Sequence, residues 1–161
     1  MVRYKARYLL FDILYPEEPS LSAVGPPTQG HIEFHSSSDP TITSSYLAGL
    51  IREGLAHQFG DWGAGVAGGL TVKYFSPQTS KGIVRVSRDH YRLVWTVLSL
   101  MKELKGKPIV IRVVKVGGTI KKVEKEAIRR AKLDIARFGG AAGGRAGILE
   151  VEDIEDDDMQ D

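Results

Sequence analysis

The chain has 161 residues, 42% hydrophobic and 26% charged, which supports one domain with a real core and excludes a wholly disordered chain. It has no cysteine, which removes disulfides, thiolate zinc sites and thiol catalysis. Of its 20 acids, eight fall in residues 150–161 with no base among them, so residues 1–149 hold all 22 bases against 12 acids, a net of +10; a basic body with an acidic appendage points to a polyanionic partner.

Residues 3–14 alternate charged and apolar side chains and are rich in aromatic and branched residues, which predicts a strand ended by Pro16 and not a secretory leader. Residues 16–40 hold five prolines and many serines and read as a long loop insertion, with a short edge strand at Ile32, Glu33 and Phe34. A helix is expected over 42–59, where Leu47, Leu50, Ile51, Leu55 and Phe59 recur at helical spacing and Gly60 is a natural stop. A glycine-rich loop to Gly69 follows, then two strands at 70–75 and 82–86 joined by a turn. Ser87 is the expected N-cap of a second helix with Val94, Val97, Leu98, Met101 and Leu104 on its apolar side and Gly106 at its end. Residues 108–116 form a fourth strand, and Thr119 caps a third helix running to about Phe138. Residues 139–161, glycine-rich and then acidic, are expected to be a disordered tail on a domain of residues 1–138. The order βαββαβ with an extra helix is the ferredoxin-like α+β arrangement, an antiparallel sheet with two helices on one face. The third helix covers the other face or an edge. No window approaches 18 uncharged apolar residues, so no membrane span is expected.

No catalytic constellation emerges. Residues 63–68 match G-x-G-x-x-G, but the dinucleotide fingerprint needs a strand before it and a helix after it. His31, His35, His57 and His90 form no metal-ligand pattern, and no serine has a nucleophile-elbow context. An RNA-recognition motif shares the fold order, but Ile83 and Arg85 stand where its stacking aromatics belong, so RNA contact through charge and shape is expected. The candidate cations are Arg3, Lys5 and Arg7 on one face of the first strand, Lys73, Lys81 and Arg85 on the hairpin, and Lys115 before the third helix. On that helix Lys121, Lys125, Arg129 and Lys132 make one stripe beside a row of Lys122, Glu126 and Arg130. Ile120, Val123, Ala127, Ala131 and Ile135 lie opposite. Leu9, Phe11 and Ile13 continue the face of Arg3, Lys5 and Arg7 and are candidates for a protein interface, or for cover by the third helix.

Three segments in order, residues 1–11 (MVRYKARYLLF), 70–85 (LTVKYFSPQTSKGIVR) and 114–122 (VKVGGTIKK) leading into Arg129 and Arg130, resemble the small ferredoxin-like subunit of eukaryotic and archaeal ribonuclease P. With the elements between, the resemblance covers about residues 1–135 and leaves out the insertion and the tail. It implies a non-catalytic subunit of ribonuclease P and RNase MRP, working in removal of the 5′ leader of precursor tRNA and in rRNA processing. It implies an active site in the RNA, whose Mg²⁺ is not bound by this chain. The implied partners are the ribonuclease P/MRP RNA, a larger TIM-barrel-like subunit, other subunits of the complex and precursor tRNA, with no membrane; the implied location is the nucleus and nucleolus. Two rivals differ in class. A free-standing RNA-binding module of the same fold would bind RNA without a protein partner. An acylphosphatase-like enzyme would need an Asn at its phosphate loop, and the chain contains no asparagine.

Overall fold

The structure, a computed structural model, describes residues 5–16 and 35–139, with side chains through Ile135. The expected strand at Ile32, Glu33 and Phe34 and the expected tail beyond Gly139 lie outside the described residues. In chain order the elements are β1 (Ala6–Leu14), α1 (Ser44–Ala67), β2 (Thr71–Ser76), β3 (Lys81–Ser87), α2 (Tyr91–Leu100), β4 (Glu103–Leu104), β5 (Lys107–Pro108), β6 (Val110–Gly117) and α3 (Ile120–Gly139). The main sheet runs β2-β3-β1-β6 and each neighbouring pair is antiparallel, which is the expected ferredoxin-like order. The chain divides into residues 1–127, which hold the sheet, and residues 128–161. None of the described helices is long and apolar enough to cross a membrane.

Alternation along β1 sends its side chains to two different cores. Leu9, Phe11 and Ile13 point to the first face and are fully buried with Leu47, Ile51 and Leu55 of α1 and Val94, Val97 and Leu98 of α2. This corrects the expectation for these three residues: they are the centre of the chain's own core under α1 and α2, not a protein interface and not the floor beneath α3. Leu10 points the other way and joins Ile83 and Val123 in a second, smaller cluster. Burying both faces explains why β1 reads as a nearly continuous apolar run.

The helices differ from expectation at their ends. Thr43 accepts a side-chain hydrogen bond from the Tyr46 amide and starts α1. Gly60 does not stop it: at φ 63° it kinks the helix, and residues 61–67 continue helically to bury Gly63 and Ala67. The glycine-rich stretch is therefore mostly helix, and residues 63–68 form no phosphate loop. α2 ends at Leu100, not at Gly106, because Lys105 and Gly106 take positive φ and turn residues 103–108 into a tight β4–β5 hairpin that buries Leu104.

The end of the insertion is packed. Tyr15 Oη donates to Ser38 Oγ (2.8 Å), which donates to Ser80 Oγ (2.9 Å), which donates to the Ser36 carbonyl (2.8 Å). Ile13 N donates to the Ser80 carbonyl, so this hydroxyl chain holds Ser80 at φ 52° in the β2–β3 turn.

Candidate nucleic-acid interface

Residues opposed in an antiparallel ladder point to the same face of the sheet. Tyr8 with Arg85, Leu10 with Ile83, and Asp12 with Lys81 thus share the second face. β6 adds Arg112, opposite Asp12, and Lys115, opposite Leu10 beside a register shift. α3 packs on this face through Val123 and Ala127, against Leu10, Ile83, Tyr8 and Val114. Thr119 Oγ1 accepts from the Lys122 amide and begins the helix as expected.

The start of α3 brings Lys121, Lys122 and Lys125 to the surface. At 100° per residue Lys121 and Lys125 lie on the side away from buried Val123. Further along the same helix Arg129 and Lys132 are exposed and Arg130 is half-buried. Ile135, assigned to the apolar side, is exposed, as is Ile128.

The other candidate cations separate. Arg3 lies outside the described residues. Arg7 opposes Val86, a first-face core residue, so it belongs to the opposite face from Arg85. Its guanidinium lies close to Gly118, where a Cβ would stand 3.2 Å from Nη1, beside the turn into α3. Lys5 is exposed at the strand entrance and its carbonyl accepts from the Arg88 amide. Lys73 is exposed on β2 at the register shift between Val72 and Tyr74. Lys81, Arg85 and Lys115 share the second sheet face, on which the first turns of α3 pack with Lys121 and Lys125 on their outer side, and Lys5 lies at the strand entrance.

Arg112, Asp12 and Tyr74 belong to this face and were not singled out in the sequence. Arg112 Nη2 lies 3.1 Å from Asp12 Oδ2, across the ladder, and offsets the only acid β1 carries. Asp12 is buried, and its Oδ1 has no hydrogen-bond partner among the described residues. Tyr74 opposes Ile83 and is 53% exposed. The shift between Val72 and Tyr74 reverses the alternation of β2, so periodicity alone would place Tyr74 on the first face.

The helical side has a different character. A groove of about 450 Å³ on α2 is lined by Arg92, Trp95, Thr96, Ser99 and Leu100. Trp95 and Leu100 are exposed, and Trp62, beyond the kink of α1, packs edge-on against His90 at 6.2 Å between ring centroids. His90 is the N-cap residue of α2.

The Rpp14/Pop5 family model matches residues 7–128. The ribonuclease P/MRP protein subunit POP5 of Schizosaccharomyces pombe is 54% identical over 136 residues, 84% of this chain and 91% of that protein. Its counterpart in Saccharomyces cerevisiae is 35% identical, over 81% of this chain and 77% of that one. Ribonuclease P protein component 2 of Pyrococcus abyssi is 33% identical over 60% of this chain and 80% of its own. A chain in the cryo-EM structure of yeast ribonuclease MRP aligns with 83% of this chain and 98% of its own, at TM-score 0.46 and 13% identity, a likeness too distant to add to the sequence matches. The chain belongs to the Rpp14/Pop5 family.

Proposed function

We propose that this chain is a non-catalytic protein subunit of the ribonuclease P/MRP ribonucleoprotein, supporting an RNA that carries out 5′-leader removal from precursor tRNA and processing of rRNA precursors. The observation that carries this is the 54% identity with the fission-yeast subunit over 84% of this chain. The second sheet face and α3 then serve as the RNA side, because their cations greatly outnumber their acids and phosphate is the strongest partner for such a surface. The larger TIM-barrel-like subunit takes the α2 groove, where Trp95 and Leu100 are exposed beside only one cation, Arg92. Hydrolysis and its Mg²⁺ belong to the RNA, and the work is nuclear and nucleolar.

Affinity purification of the tagged full chain from cells, with sequencing of bound RNA and identification of bound proteins, tests this reading. Recovery of one abundant structured RNA with precursor-tRNA cleavage activity, together with a larger subunit, is the expected result. Recovery of mixed RNA with no protein partner would favour a free-standing RNA-binding module.

A further inference from the structure

We propose that Tyr74 is a stacking platform for one base of an unpaired RNA segment, flanked by Lys81 and Arg85; this rests on the RNA-side reading above and names what kind of RNA that side takes. Tyr74 opposes Ile83, the β3 position at which an aromatic would be needed to stack a base on this kind of sheet. The aromatic missing from β3 is supplied one strand over, on the same face. The residue is 53% exposed and is not part of the second core, which is built of Leu10, Ile83 and Val123.

The neighbours suit a nucleotide. Lys81 and Arg85 lie two residues to either side of Ile83 on β3, diagonal to Tyr74 at about 7–8 Å, within reach of phosphates flanking a base on the ring. Lys73 adjoins Tyr74 on β2 itself. Residues 71–87 carry three bases and no acid, so the whole hairpin attracts a polyanion. β2 is also the edge of the sheet, so a strand of RNA can pass over the ring without meeting another sheet element. A paired helix would hide its base faces from the ring, so the ligand must be single-stranded. Stacking tolerates any base, since every base has a π-face, and this site therefore selects unpaired RNA without selecting its sequence.

The test uses the full chain with two fluorescent probes, a 12-nucleotide oligouridylate and a blunt RNA duplex of equal length. Tyr74→Ala is expected to weaken oligouridylate binding about ten-fold, while Tyr74→Phe, which keeps the ring, stays within about two-fold of the parent. Duplex binding should be unchanged in both variants. The salt slope should also be unchanged, because the ring neutralises no phosphate, whereas Lys81→Gln should make it shallower by somewhat less than about one unit. Equal losses on both probes, or no loss on either, overturn the stacking proposal while leaving the RNA-side reading standing. A parent chain that binds neither probe overturns direct RNA contact and the platform together. Tyr74→Ala that spares RNA but loses a co-purifying protein assigns this edge to a protein strand and also overturns the proposal. Circular dichroism and thermal melts of each variant separate loss of fold from loss of contact.

Discussion

Gly82 lies across the ladder from Phe11, and a Cβ at that position would stand 2.8 Å from Cε1 of the Phe11 ring. Phe11 is fully buried and cannot step aside, so Gly82→Ala should lower stability by about 1–3 kcal/mol, read from urea unfolding at constant m-value. Arg112→Ala acts by a different route. It leaves the buried Asp12 carboxylate without its partner, at a cost of roughly 1–2 kcal/mol once the half-exposed guanidinium is discounted for solvent. Thermal melts of Arg112→Ala and the Asp12→Asn double variant check this: the second change should restore part of the loss. Asp39 gives a pH dependence. Its carboxylate accepts from the hydroxyl (2.5 Å) and amide (2.8 Å) of Thr41, with the charges of Lys105 and Lys107 nearby, and these hold its pKa below the ordinary aspartate value. A group depressed on folding stabilises above its unfolded pKa and loses that contribution as pH falls through its folded value. The turn before α1 should therefore be intact at neutral pH and loosen below about pH 4. Amide exchange at Thr41 should rise in that range beyond its intrinsic pH trend, and Asp39→Asn should remove the acid-dependent part. Of these residues the sequence marked Phe11 as apolar but not its face. Facing depends on which strands flank β1, and alternation cannot supply that. Tyr74 escaped notice because a single extra residue in β2 inverts the alternation after it.

α3 shows most directly how an element joins packing to charge. Val123 is fully buried in the second core, and the lysines at 121 and 125 are on the outer side. Changing Lys121, Lys125, Arg129 and Lys132 to glutamine keeps helix propensity and leaves the packed side untouched. If each cation meets a phosphate, the assembled complex should bind RNA with a salt slope shallower by roughly two to four units, equally across RNA sequences. Thermal stability of the isolated chain should barely change. An unaltered slope would mean that the stripe only faces solvent. The helical periods of α1, α2 and α3 were legible because each buries one side on a sheet face. The continuation of α1 past Gly60 was not. Gly60, Gly63 and Gly65 read as loop on propensity, yet Gly63 and Ala67 are buried, and packing of small residues outweighs weak propensity there. The β4–β5 hairpin was hidden for a similar reason: Met101 and Leu104 fit the period of α2 until Lys105 and Gly106 turn the chain.

Within residues 1–127 the sheet lies between two unlike surfaces, cations on the α3 side and exposed Trp95 and Leu100 on the α2 side. If the α2 side takes the larger subunit as proposed, Trp95→Ala should reduce its recovery in co-purification by about ten-fold, the loss typical of an aromatic anchor, while leaving the salt slope of RNA binding unchanged. Loss of RNA with the protein partner retained would reverse the assignment of the two sides. At this scale the sequence was most informative: strand and helix order alone gave the ferredoxin-like sheet, and the resemblance gave the family. Which side chains share a face was not legible, since it depends on the ladder pairing and on the register shifts in β2 and β6. The strand order has one more consequence. β1 is an inner strand, and both of its ladder neighbours lie far along the chain, at residues 81–87 and 110–117. During synthesis the ribosome must therefore release more than half of the chain before the segment around Phe11 gains its first strand partner, and residues through Gly117 before it gains its second. Until then the nascent protein presents a bare apolar edge of the kind that chaperones bind and that aggregates when they do not. Nascent chains whose exposed part stops short of β6 should accordingly be chaperone-bound, those that also lack β3 most of all, and those long enough to expose β6 should be released.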